Sequence, residues 1–138
     1  MKDRIDGSGN KRKILVVDDD RHLQILYKAE LEEDGYDVHI AGSGIEALEK
    51  MEKIHPDLVT MDILLPDIDG VHLLRKFKER NFQLPIIIST AYDYRDDFAV
   101  WGSEDYLLKS SNLSELKTAI RCTLKKRQQG PAATIHSA

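Results

Sequence analysis

ILVVDDD at residues 14–20 decides how the rest of this chain is read. Four apolar residues run without alternation and then stop at three consecutive aspartates. A run of that length suits a strand covered on both faces, as strands inside a parallel sheet are. With Lys13 added it is the first of five strand-length segments, followed by VHIA at 38–41, DLVTM at 57–61, PIIIS at 85–89 and DYLL at 105–108. Between them, apolar residues recur at helical spacing: Leu23, Leu26, Tyr27 and Leu31; then Ile45, Leu48 and Met51; then Val71, Leu74 and Phe77; last Leu113, Leu116, Ile120 and Leu124. Asp20 is placed to cap the first helix, and Ser43 with Glu46, like Asn112 with Glu115, has the spacing of a capping box. Strands alternating with helices predict a doubly wound α/β domain. Its sheet is five-stranded and parallel, in order 2-1-3-4-5, with helices on both faces.

The chain has 138 residues, 41% hydrophobic and 32% charged, enough to bury one ordinary core and short for two. Residues 13–127 are read as the domain, 1–12 as a flexible leader and 128–138 as a flexible tail. Gly130-Pro131 is expected to stop the last helix. A net charge of −4 argues against direct nucleic-acid binding, which selects basic faces. No apolar run approaches the ~20 residues that span a bilayer, and residues 1–12 lack the apolar core of a signal peptide. Cys122, the single cysteine, excludes an internal disulfide and a cysteine-zinc cluster. These features predict a cytoplasmic protein without membrane attachment.

In an open parallel sheet, ligands bind beyond the carboxyl ends of the strands. The first strand runs out into Asp18, Asp19 and Asp20, the third into Asp62, the fourth into Thr90 and the fifth into Lys109. Carboxylates gathered on one rim repel unless a cation relieves them, and an oxygen-rich set of this kind suits Mg²⁺. A carboxylate can also attack phosphorus and form an aspartyl-phosphate, whose charge then needs a cation, a lysine and a hydroxyl donor. Asp62, alone at the end of the central strand, is the best placed acceptor.

ILVVDDD, LVTMDILLPDIDG at 58–70, PIIISTA at 85–91 and DYLLK at 105–109 together resemble the receiver domain of two-component response regulators. The resemblance covers about residues 13–127 with the blocks in family order. It implies a phosphorylation-controlled signalling module rather than an enzyme, with at most slow autodephosphorylation. Asp62 would accept a phosphoryl group from the phosphohistidine of a sensor histidine kinase or phosphotransfer protein. Asp19, Asp62 and the main-chain carbonyl of Leu64 would bind Mg²⁺, with Asp18 acting through water. Thr90 and Lys109 would contact the phosphoryl group, and Tyr106 would be the aromatic switch that alters a protein-binding face. The resemblance leaves a homodimer open. Because the chain ends soon after the last helix, a stand-alone module with an unknown protein target is expected. Leu64 and Tyr92 stand where the family tunes phosphoryl lifetime, and two bulky groups there predict slow loss.

Two departures from the family pattern stand out. Ser110 replaces the proline that usually follows the lysine. Only eighteen residues, 91–108, separate Thr90 from Lys109, so the fourth helix is expected to be short or irregular. Other readings remain. A Mg²⁺-dependent phosphohydrolase would place a second acid two residues after Asp62, where this chain has Leu64. A receiver fold acting without phosphorylation would account for Ser110 but not for the intact acids. GSGIEA at 42–47 fits a dinucleotide-binding fingerprint with Asp62 twenty residues on, yet that reading leaves the strand-one acids, Thr90 and Lys109 unexplained. Tyr106 and Trp101 are also readable as plain packing residues. The five histidines show no metal-ligand spacing, and Lys125, Lys126 and Arg127 suit the end of the last helix.

Overall fold

A computed structural model describes residues 11–90, 105–108 and 113–137. The strands β1 (Lys13–Val17), β2 (Asp37–Ala41), β3 (Leu58–Met61), β4 (Ile86–Thr90) and β5 (Asp105–Leu108) form one sheet in the order β2-β1-β3-β4-β5. Every adjacent pair is parallel. The described helices are α1 (Arg21–Glu33), α2 (Gly44–Ile54), α3 (Gly70–Arg80) and α4 (Ser114–Ser137). The short helix expected between β4 and β5 falls in residues outside those described.

Strand alternation sorts the core into two layers. Leu15, Val17, Val59, Met61, Ile86 and Ile88 face α2 and α3, which contribute Ala47, Met51, Leu73, Leu74 and Phe77. Ile14, Val16, Leu58 and Ile87 face α1 and α4, which contribute Tyr27, Leu31, Leu116, Ile120 and Leu124. Most of the expected stripes are therefore buried. Leu26 and Ile45 are not, at 40% and 61% exposed. On α1 the inward row is Leu23, Tyr27 and Leu31, and Leu26 sits one residue off it. On α2 the short Ala47 takes the inward place, so Ile45 in the first turn points away.

α4 continues to Ser137, past the Gly130-Pro131 pair where the sequence predicts a stop. Pro131 removes a single backbone donor and crowds one carbonyl, and Gln128, Gln129, Ala132 and Ala133 around it are good helix formers. Ion pairs tie neighbouring helices: Lys117 meets Glu30 at 2.8 Å across α4 and α1, and Arg80 meets Glu52 at 3.1 Å across α3 and α2.

Among the described strands β2 lies at the edge of the sheet, and that edge is covered from both sides. Lys28 of α1 donates to the carbonyl of Val38 at 3.1 Å, and Lys50 of α2 donates to that of Ile40. Residues 38 and 40 are two apart, so their carbonyls point to the same, outward side. Two ammonium groups on an open edge oppose pairing with another strand. Replacing both lysines by methionine is expected to raise self-association in sedimentation velocity at high concentration, and an unchanged sedimentation profile would count against this role.

Candidate metal and phosphoryl-acceptor site

The carboxyl ends of β1 and β3 lie side by side, with Val17 in register with Met61. One residue further on, the ladder still holds: the Asp18 N–H donates to Ala41 O at 3.0 Å and the Asp62 N–H to Val17 O at 2.9 Å. Both aspartates are thus fixed by backbone bonds at the point where the chain leaves the sheet. They are 2% and 7% exposed, whereas Asp19 faces solvent. Asp18 Oδ1 accepts from Asp20 N at 2.9 Å, and Asp62 Oδ1 accepts from Leu64 N at 3.2 Å. Each carboxylate folds the chain back over the residue two places on, as aspartates in turns do. Gln24 Nε2 donates to the carbonyl of Asp18 at 2.6 Å and braces the turn from α1.

The three consecutive acids divide their work. Asp20 leaves the cluster and caps α1, accepting from His22 N at 2.9 Å and Leu23 N at 3.2 Å. Asp18, Asp19 and Asp62 each offer a carboxylate oxygen, and these atoms lie within 4.8 Å of one another. Thr90 ends β4 fully buried. Since Met61 is in register with Ile88, Thr90 stands one step beyond the level of Asp62 on the neighbouring strand. Tyr106 of β5 pairs with Ile88 of β4, and its side chain is not among those described. Lys109, Ser110, Tyr92, Trp101 and Asn112 lie outside the described residues. Leu64 is 46% exposed at the mouth of the site.

Hard oxygen donors at this spacing fit Mg²⁺, which binds oxygens at about 2.0–2.1 Å and keeps several waters. Asp18 and Asp62 are nearly out of solvent and Asp19 faces it, and a divalent cation is a fitting counter-charge for carboxylate oxygens gathered this closely.

The loop from Asp62 to α3 is fastened in ways that sequence patterns do not reveal. Gly70 N donates to Ile63 O at 3.0 Å, and a Cβ on Gly70 would come within 2.5 Å of Ile63 Cα and O. Asp69 caps α3 by accepting from Val71 N at 3.0 Å. Asp67 reaches back to α2: Oδ1 accepts from Gly44 N at 2.8 Å and Oδ2 from Ile45 N at 2.9 Å. Ser43 Oγ takes the next donor, Glu46 N, at 3.2 Å. Glu46 itself accepts from Gly42 N at 2.8 Å, one residue earlier than a capping box would have it. The amides at this helix start are therefore satisfied by the chain's own oxygens, where a dinucleotide fingerprint would need them for a pyrophosphate.

The N–H groups of Ile45 and Gly44 hold the Asp67 carboxyl below its ordinary range, and that of Gly42 does the same for Glu46. Groups lowered in the folded state contribute stability above the ordinary carboxylate pKa of about 4, and lose it as pH falls through the lowered values. Thermal unfolding is expected to show a fall in midpoint between pH 5 and pH 3 that is shallower in the double variant Glu46→Ala/Asp67→Ala. Identical slopes would contradict it.

Residues 14–121 match the family model of the response regulator receiver domain. The chain belongs to that family. It is 37% identical over 121 residues to the transcriptional regulatory protein TrcR of Mycobacterium tuberculosis, covering 86% of this chain and 47% of TrcR. To the alkaline phosphatase synthesis transcriptional regulatory protein PhoP of Bacillus subtilis it is 34% identical over 120 residues, covering 85% of this chain and 50% of PhoP. The receiver-domain chain thus spans about half the length of the curated relatives it matches. Among solved structures it is similar to the response regulator TrrA of Thermotoga maritima in complex with Mg²⁺-BeF, with TM-score 0.78, 38% identity and coverage of 81% of this chain and 98% of TrrA. A CheY-like receiver domain protein of Methanospirillum hungatei superposes with TM-score 0.82 at 31% identity, over 86% of this chain and 97% of that one. TrrA has also been solved in complex with the histidine kinase ThkA. Receiver domains of response regulators are signalling modules of two-component systems, and the acidic cluster of this chain lies within the matched region. Among the described residues, no helix is long and apolar enough to cross a membrane.

Proposed function

We propose that this receiver domain takes a phosphoryl group onto Asp62 from the phosphohistidine of a histidine kinase or phosphotransfer protein, and that the modified domain changes a protein-binding face. The carrying observation is the gathering of Asp18, Asp19 and Asp62 within 4.8 Å at the carboxyl edge of a receiver-family sheet. In the step itself an Asp62 carboxylate oxygen attacks phosphorus, the phosphorus–nitrogen bond breaks, and the departing imidazole recovers its lone pair and takes up a proton. Asp19, Asp62 and the Leu64 carbonyl would hold Mg²⁺, with Asp18 supporting it through water. When bound, the cation supplies positive charge for the phosphoryl oxygens. Asp62 has its second oxygen steadied by the Leu64 N–H, which leaves the attacking oxygen a defined direction.

Thr90 would donate its hydroxyl to a phosphoryl oxygen, Lys109 would pair with the same group, and Tyr106 would follow Thr90 as the switch. The histidine kinase as partner is supported by the ThkA complex of TrrA, a protein 38% identical to this one. The downstream target, the use of a homodimer and a cytoplasmic setting are part of the same reading. So is the division into a leader at 1–12, the receiver at 13–127 and a tail at 128–138.

The test is a label-and-chase experiment with a phosphohistidine or acetyl phosphate donor. We expect one label per chain and slow loss in Mg²⁺ buffer, since Leu64 and Tyr92 would shield the acyl phosphate. Rapid loss would contradict the shielding. Continuous phosphate release from small phosphomonoesters would favour a phosphohydrolase instead.

A further inference from the structure

We infer that Asp67 is a positioning residue for the acceptor site, fastening the loop that carries Leu64 to the N-terminus of α2 and so holding the Leu64 carbonyl in place for Mg²⁺. The inference rests on the reading of Asp19, Asp62 and Leu64 as the cation-binding set.

The loop leaves β3 at Asp62 and re-enters structure at Gly70, with the Gly70 N–H on Ile63 O closing its base. Between those points Leu64, Pro66 and Asp67 are exposed. From this exposed stretch Asp67 reaches an element 22 and 23 residues away in sequence, and it does so with both oxygens. A two-point fork fixes orientation as well as distance, and a carboxylate at a helix start also meets the positive end of the helix dipole. A second observation falls at the same spot. A Cβ on Gly44 would sit 1.8 Å from Ile68 Cγ2, so the next loop residue packs directly on the bare backbone of the helix start. Polar fork and apolar contact together pin residues 67 and 68, three places beyond the carbonyl that the site needs.

A plain helix cap would steady α2 and nothing else. Ser43 provides the comparison, because its Oγ caps the same helix end through a donor of the helix itself, Glu46 N. Mg²⁺ binding would be measured by calorimetry on wild type, Asp62→Asn, Asp67→Ala, Asp67→Asn and Ser43→Ala. Amide exchange at Leu64 and Leu65 would be followed in the metal-free proteins. Asp67→Ala is expected to bind Mg²⁺ about tenfold more weakly, the low end for groups that orient a ligand, and to exchange faster in the loop. Asp67→Asn should fall between, since its amide oxygen keeps one acceptor while its NH₂ meets the second N–H. Ser43→Ala should lower the unfolding midpoint yet keep the wild-type Mg²⁺ affinity and loop exchange.

Wild-type affinity in Asp67→Ala would overturn the inference, as would an equal loss in Ser43→Ala. Weaker binding with unchanged loop exchange would assign the loss to the missing charge and overturn it too. Absence of Mg²⁺ binding in the wild type itself would instead remove the reading on which the inference rests.

Discussion

Gly70→Ala is expected to destabilise the domain by about 2–3 kcal/mol, the upper part of the range for overpacking a tight site, and to slow phosphorylation of Asp62 sharply. Intrinsic helix propensity points the other way, favouring alanine over glycine by about 1 kcal/mol. The contact decides the sign: the new Cβ would lie 2.5 Å from both the Cα and the carbonyl oxygen of Ile63, and backbone cannot rotate aside as a side chain can. The loop must move, and it begins at the acceptor. A displacement of about 1 Å at a reacting group costs on the order of 100-fold in rate. Gly44→Ala gives the contrast: its Cβ would meet the Ile68 Cγ2 methyl at 1.8 Å and Ile68 Cβ at 3.2 Å, so a loop side chain must turn and give way, but none of its three nearest atoms is backbone. Urea unfolding of the two variants checks the ranking, and equal losses would contradict it.

Asp62→Asn is expected to abolish phosphoryl transfer outright. Asparagine keeps the volume, and its oxygen can still accept from Leu64 N, so the turn after β3 has what it needs to form. What disappears is the anionic oxygen that attacks phosphorus, along with one of three negative charges gathered within 4.8 Å. Mg²⁺ affinity should fall with it. The effect is therefore chemical rather than structural, and the unfolding transition of the variant should stay cooperative.

Much of the fold and of the acidic cluster is legible in the sequence, for physical reasons that differ by element. The strands are legible because both faces of a parallel sheet are buried, and ILVV and PIII are short, rich in β-branched residues and apolar throughout, as such strands are. Their ends shift by a residue: β4 begins at Ile86, since Pro85 has no N–H for the ladder, and runs on to Thr90. The last helical stripe reads cleanly, with Leu116, Ile120 and Leu124 all buried. Leu26 and Ile45 misled because an apolar side chain beside a buried row has the same spacing signature as one within it. Leu73, fully buried, was missed for the same reason in reverse.

The acidic cluster was legible because its members end adjacent strands, and position alone brings them together. Asp67 was not. It is an acid in a polar turn, and only the tertiary fold shows that it meets amides 22 and 23 residues earlier in the chain. Its signal in the sequence is the pairing of a spare loop acid with a glycine at a helix start, which is too common to single out. The capping-box spacing of Ser43 and Glu46 gives half of what forms: Ser43 Oγ accepts from Glu46 N, but the Glu46 carboxylate accepts from Gly42 N, one residue before the Ser43 N that the motif implies.

The central claim is that Asp62 accepts a phosphoryl group in a cation-dependent reaction. Its most direct test is intact mass after incubation with acetyl phosphate, with and without Mg²⁺, on wild type and Asp62→Asn. The wild type should gain one phosphoryl group with Mg²⁺, and none should be gained without the metal or without Asp62. A gain that survives loss of Asp62, or no gain under any condition, would contradict it.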